Sequence, residues 1–156
     1  MEIFLKSAFR RLVAVSAVSG AGAVAYFVGS GRFDYAAHYL AGAGGTLALI
    51  AAVNVAWRLL ESQWPSAFSD SAPGIMVVTL ASIGFGLVAE FTVFAAPVAD
   101  IVDIVHQSLG AIVVGMACIA FQSSHRSWAA VLVTELVAAG VGAVMIAVGA
   151  VLVGVI

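Results

Sequence analysis

The stretch DYAAHYLAGAGGTLALIAAVNVAWRLL, residues 34–60, decides the fold class of this chain. At the α-helical rise it is long enough to cross a hydrocarbon core of roughly 30 Å. Between Asp34 at its start and Arg58 near its end it has no charged residue. Such a run is typical of a transmembrane helix. Four similar runs occur near residues 9–30, 73–96, 100–122 and 128–154.

These five runs predict an all-α polytopic membrane protein, a bundle of about five transmembrane helices that forms a single domain over residues 1–156. The composition agrees, since 63% of the residues are hydrophobic and 9% are charged, against roughly 25% charged in soluble domains. A net charge of −2 without a basic cluster excludes nucleic acid as a partner. Membrane lipid is therefore the first partner that we expect. The lone cysteine, Cys118, excludes an intrachain disulfide.

Local signals at the helix starts support these boundaries. Asp34, Asp100 and Ser127 are residue types that favour the N-cap position of a helix. Pro73 suits a first helical turn, where its missing N–H costs nothing. Small residues four apart, which let helices approach closely in lipid, recur in every run. These pairs are Ser16/Gly20, Ala41/Gly45, Ser82/Gly86, Ala111/Gly115 and Ala138/Gly142.

The basic residues predict the orientation, because cytoplasmic loops of membrane proteins are enriched in Lys and Arg. Only Arg32 falls between the first and second helices. The other five fall on the opposite side: Lys6, Arg10, Arg11, Arg58 and Arg126. We therefore expect a bacterial inner-membrane protein with a cytoplasmic N-terminus and a periplasmic C-terminus.

Most polar residues of the predicted helices gather at the outer side. They are Asp34, His38, Glu90, Asp100, Asp103, His106 and Gln107. Charged groups at bilayer depth are costly and usually face a bundle interior or a watery cavity, so this set predicts an outward-opening ligand pocket. For Asp34 and Asp100 the alternative is that each merely caps its helix at the interface.

The spacing of these residues directs them to a common face. From Asp100 to Gly110 the polar and small residues of the fourth helix fit within about a 120° arc. On the third helix, Ser82, Gly86 and Glu90 lie four apart. The face that carries Glu90 therefore has little bulk, and a neighbouring helix is expected to approach it closely.

Glu135 stands apart from this set, about two turns into the fifth helix from the cytoplasmic side. An intramembrane carboxylate needs a partner. Asn54 and another subunit are the two candidates that the sequence offers, and the role of Glu135 stays open.

In their order along the chain, these polar residues resemble the VanZ-like integral membrane family. The resemblance consists of DYAAH opening the second helix, GLVAEF closing the third and DIVDIVHQSLGAIVVG opening the fourth, over residues 34–115. The family's pattern falls on Asp34, His38, Glu90, Asp100, Asp103, Gln107 and Gly110. The chain departs from it in three ways: Val93 stands in place of a glutamine, Gln107 in place of an asparagine, and FAAPVA lacks an arginine.

The resemblance implies an envelope-associated membrane protein, since family members are linked to glycopeptide-antibiotic tolerance, and it implies a site rather than a reaction. The first hypothesis is thus an outer pocket for a lipid-linked or cell-envelope ligand, with no catalytic residue assigned. An accessory or structural subunit of a larger membrane complex is an alternative, with protein partners supplying further burial.

Two cofactor hypotheses are also compatible with these residues. A metal-dependent intramembrane hydrolase is one alternative, with His38, Glu90, Asp103 and His106 as candidate ligands around an activated water. Haem held axially by His38 and His106 is another. Neither hypothesis has a tight sequence signature.

Overall fold

The computed structural model describes residues 2–60, 71–94, 100–121 and 128–154. These residues form five α-helices and one short π-helix. The elements are α1 (Glu2–Ser30), α2 (Phe33–Leu60), α3 (Ala72–Ala89), a π-turn (Glu90–Phe94), α4 (Ile101–Ala120) and α5 (Trp128–Leu152). Each α-helix contains a span long and apolar enough to cross a bilayer. The predicted fold class is confirmed, and the chain is a multi-pass integral membrane protein.

The starts of α3 and α4 follow the predicted signals. Pro73 lies in the first turn of α3, behind Ser71, whose Oγ accepts a hydrogen bond from the Gly74 N–H at 3.1 Å. Asp100 caps α4, because its Oδ1 accepts from the Val102 N–H at 2.8 Å. The predicted cap at Ser127 lies outside the described residues.

The second helix is the centre of the bundle. It packs against all four other α-helices, and twelve of its 28 residues are buried. By contrast, α1 between residues 9 and 30 buries only Arg11, Val15 and Ser19. Because these three are spaced four apart, α1 meets the bundle along one narrow stripe. Large apolar side chains cover much of the outer surface, as expected of helices that face lipid.

Glycines bring α2 and α4 into backbone contact. A Cβ added to Gly42 would collide with the backbone of Gln107, and one added to Gly110 would collide with the carbonyl oxygen of Tyr39. The two helices therefore approach until main chain meets main chain, as small residues permit in lipid. This contact sets how closely α2 and α4 approach each other near Gly42 and Gly110.

The contact between α2 and α5 has the same character. Gly44 and Gly142 face each other so closely that a Cβ on either would collide with the carbonyl oxygen of the other. Near the end of α5, Gly149 lies against the carbonyl of Ala37. The bundle is thus closed around α2 by glycine contacts on two of its sides.

The small-residue pairs were predicted correctly on three helices and wrongly on two. Gly86, Gly115 and Gly142 all lie in close contacts. A Cβ on Gly20, however, would meet nothing within 4 Å, and one on Gly45 would meet only the Ser82 hydroxyl at 4.0 Å. In the run AGAGG small residues occupy every face of α2, so spacing alone does not select the face that is packed.

Candidate functional site

The predicted polar residues lie at the end of the bundle where α1 and α3 end and α2 and α4 begin. We call it the Asp103 end. The structure divides the seven residues among separate contacts. One pair joins α2 to α4, one joins α3 to α4, Gln107 fills a gap between helices, and His106 and Asp34 have partners of their own.

The contact between His38 and Asp103 joins α2 to α4. His38 Nε2 lies 3.2 Å from Asp103 Oδ2, and the two side chains are 28% and 21% exposed. His38 is the sixth residue of α2 and Asp103 the third of α4, so both lie within two turns of the bundle end. The contact orients the imidazole and directs Nδ1 away from Asp103, as an acceptor when neutral and a donor when protonated. Both side chains therefore stay within reach of a small polar group.

Glu90 joins the end of α3 to the start of α4. Its side chain is buried, and Oε1 accepts a hydrogen bond from the Asp100 N–H at 3.2 Å. The π-turn begins at Glu90, and such turns are frequent at functional sites. The residues of this turn, EFTVF, include no glycine or proline, so the sequence carries no signal for it. Glu90 thus contacts Asp100, but through the backbone amide of Asp100 and not through its side chain.

Gln107 fills the space that the small face of α3 leaves open. Its side-chain amide occupies the position that a Cβ on Gly86 would take. The predicted close approach to the face carrying Glu90 is therefore confirmed, and α4 is the helix that makes it. Further from the bundle end, Thr46 donates a hydrogen bond to Ser82 Oγ at 2.8 Å and links α2 to α3. Gln107 is held among three helices.

His106 faces aromatic side chains rather than the carboxylates. Its ring centroid lies 4.2 Å from that of Tyr35 and 4.9 Å from that of Tyr26. Its Nδ1 lies 2.9 Å from the carbonyl oxygen of Val102. Because a carbonyl oxygen can only accept a hydrogen bond, Nδ1 carries the proton in this contact, and Nε2 takes no part in it. The tyrosines were not predicted as site residues, since sequence spacing within a helix does not reveal contacts between helices.

Asp34 pairs with Arg32 at the exposed start of α2. Arg32 donates from Nε to Asp34 Oδ1 at 3.0 Å and from Nη2 to Oδ2, and its guanidinium lies 4.4 Å from the Tyr35 ring centroid. The hydrogen bonds to Asp34 raise the pKa of the Arg32 guanidinium above its ordinary value. The predicted N-cap role of Asp34 is wrong, because α2 already begins at Phe33 and Asp34 lies in its first turn. Asp34 therefore has Arg32 as its partner, apart from the contact between His38 and Asp103.

The four candidate metal ligands do not converge. His38 contacts Asp103, whereas Glu90 bonds to a backbone amide and His106 lies between tyrosines. Across the described residues no group of three or more His, Cys, Asp or Glu side chains is placed to hold a metal ion. The arrangement suits hydrogen bonding to a polar ligand better than metal coordination.

A second polar centre lies at the opposite end of the bundle, around Glu135. Glu135 Oε1 accepts a hydrogen bond from Asn54 Nδ2 at 2.9 Å and lies 3.9 Å from Arg11 Nη1. The predicted partner Asn54 is confirmed. Arg11 was predicted to flank the membrane, but α1 begins at Glu2, so Arg11 lies inside the helix and is buried. We call these three residues the Glu135 centre.

Comparison with protein-family models, with curated proteins and with solved structures gave no match for this chain.

Proposed function

We propose that the Asp103 end binds the polar part of a lipid-linked or cell-envelope ligand. The observation that carries this proposal is the partly exposed contact between His38 and Asp103, placed inside two membrane-spanning helices. Intramembrane ionisable groups are costly, and a pair kept accessible is more typical of a ligand site than of a structural bond. The glycine contacts of α2 and α4 hold the two residues on rigid elements, which favours specific binding.

The charges at this end favour a ligand that donates hydrogen bonds. Besides Asp34, which is paired with Arg32, three carboxylates lie here, and Arg32 is the only Lys or Arg among the described residues of this end. Electrostatic complementarity therefore selects hydroxyl or amino groups over a bare phosphate. A sugar or an amine on a membrane lipid has this chemistry.

The proposed site is that of a VanZ-like protein, since the residues on which the resemblance rests include His38, Glu90 and Asp103.

Two alternatives are weaker. Glu135 does not argue for a partner subunit, because Arg11 and Asn54 supply its contacts within the chain. The hydrolase alternative lacks an assembled ligand set within the described residues.

We further propose that the Asp103 end faces the periplasm of a bacterial inner membrane, with the N-terminus in the cytoplasm and the C-terminus outside. Arg11 is buried, so it is no longer counted among the basic residues that flank the membrane. The excess of Lys and Arg nevertheless stays on the same side. The remaining residues are Lys6, Arg10, Arg58 and Arg126 on one side against Arg32 on the other. The single-cysteine variants Ser30→Cys and Leu60→Cys, each in a Cys118→Ser background, test this. An impermeant maleimide added to intact cells should label only the first.

Lipid selection tests the binding proposal. The protein is placed in nanodiscs that contain equal amounts of phosphatidylethanolamine, which has N–H donors, and phosphatidylcholine, which has none. It is then released from the nanodiscs in a mass spectrometer, and the lipids that it retains are counted. We expect native protein to retain phosphatidylethanolamine preferentially and Asp103→Asn to lose the preference. Asp34→Asn, an acidic-to-amide change beside the site, is the matched control. An unchanged preference in Asp103→Asn would contradict the proposal.

A further inference from the structure

An apolar groove of about 380 Å³ runs along the bundle between α1, α2 and α4. Its volume lies in the roughly 300–1,000 Å³ range of small-molecule sites. The residues that line it are Gly22, Ala25, Tyr26, Tyr39, Leu109 and Val113. All of them belong to membrane-spanning segments. The groove is therefore a feature of the hydrocarbon region.

The groove lies next to His106, which is three residues, about one helical turn, along α4 from Asp103. On α4, His106, Leu109 and Val113 are spaced three and four apart, so they follow one face of the helix away from the Asp103 end. Tyr26 forms the junction, since its ring centroid lies 4.9 Å from that of His106 and 5.2 Å from that of Tyr39. One molecule with a polar head and an apolar tail can therefore occupy both places.

Tyr39 places a polar atom in the groove wall. The residue is 2% exposed, and its hydroxyl lies where a Cβ on Gly22 would be. A hydroxyl in apolar surroundings is costly without a partner. An oxygen at the junction between the head and the chain of a lipid would supply one.

We propose that this groove holds one hydrocarbon chain of a lipid whose headgroup lies at the His38–Asp103 pair. This inference rests on the proposed function and adds the ligand's tail to it. Inside a bilayer the chain gains little hydrophobic energy by entering, so close packing and the anchored headgroup determine its retention.

Filling the groove tests the proposal. Ala25→Phe places a ring in the groove, while Ala21→Phe makes the same change on an exposed part of α1 outside the lining. Retained phosphatidylethanolamine is counted by mass spectrometry after release from nanodiscs. We expect native protein and Ala21→Phe to retain one lipid, and Ala25→Phe to lower retention about tenfold. Equal retention in Ala25→Phe and Ala21→Phe would overturn the proposal.

The Asp103→Asn variant separates the groove from the headgroup site. Loss of retention only with Ala25→Phe supports the groove and removes the headgroup site, whereas loss only with Asp103→Asn does the reverse. Loss of retention with both variants supports both the groove and the headgroup site, and loss with neither variant removes both. Circular dichroism and thermal unfolding check that each variant folds. If Ala25→Phe does not fold, Val113→Phe fills the same groove from α4.

Discussion

The two polar centres of this bundle contain similar chemistry in opposite surroundings. Each joins a carboxylate to a basic side chain across two helices, at 3.2 Å for His38–Asp103 and 3.9 Å for Arg11–Glu135. The first pair is 28% and 21% exposed, whereas the second is 3% and 1% exposed. The two pairs therefore differ in accessibility rather than in residue type, and we propose that the accessible pair binds a ligand while the buried pair stabilises the bundle.

The physical reason lies in the cost of desolvation. A buried ion pair gives up water on both partners, and removing one partner leaves an uncompensated charge. A partly exposed pair keeps water, so its loss costs little stability but changes what the surface can bind. The two centres should therefore respond oppositely to substitution, with the Glu135 centre affecting stability and the Asp103 end affecting ligand binding.

The largest expected effect is at the Glu135 centre. Glu135→Ala leaves Arg11 buried without its carboxylate, and we expect it to lower the free energy of unfolding by about 3–5 kcal/mol. Reversible unfolding in mixed detergent and SDS micelles measures this. The double variant Arg11→Leu with Glu135→Leu removes both charges and should recover most of the loss. A Glu135→Ala protein as stable as the native one would remove the contrast between the centres.

A smaller effect is expected where α2 meets α4. Gly110→Ala forces a methyl group into the carbonyl of Tyr39, and overpacking of this kind costs about 1–3 kcal/mol. Gly140→Ala is the matched control, because a Cβ there meets nothing within 4 Å. The same unfolding assay compares them. Since this contact also positions His38, Gly110→Ala should weaken lipid selection while Gly140→Ala should not. Equal stability of the two variants would show that α2 and α4 can separate freely.

At the Asp103 end the stability effect should be smaller still. A double-mutant cycle of His38→Ala and Asp103→Ala should give a coupling of about 0.6 kcal/mol, the average for hydrogen bonds between membrane helices. The same substitutions should abolish the preference for phosphatidylethanolamine over phosphatidylcholine. A coupling as large as the loss in Glu135→Ala, with lipid selection intact, would make this centre structural as well.

The smallest effect is expected at Arg32. The pair with Asp34 is exposed, and exposed ion pairs contribute little to folding. Arg32→Ala should leave the unfolding transition in micelles where it is in the native protein. A clear shift of the transition would show that Arg32 packs on Tyr35 tightly enough to support the wall around His106.

Much of the fold could be predicted because membrane insertion depends on properties that are local in the chain. The hydropathy of residues 34–60 is sufficient for a spanning helix, and the cap at Asp100 needs only the first turn of α4. The end of the bundle at which the polar residues lie can also be predicted from the sequence. Successive helices cross the membrane in opposite directions, so the starts of α2 and α4 lie on the same side. Which side chains pair at that end depends on how each helix is rotated about its axis. The run AGAGG, residues 41–45, permits several rotations of α2, so the sequence does not determine the pairs.

By itself, the sequence determined the class of molecule, the number of membrane-spanning helices and the end of the bundle at which most polar residues lie. These follow from hydrophobic length and from the position of each residue along its helix. Only the tertiary structure decided that His38 meets Asp103, that His106 faces tyrosines, and that Arg11 enters the bundle to reach Glu135. Such pairings depend on the rotation and separation of the helices, which are determined by contacts between residues far apart in the chain.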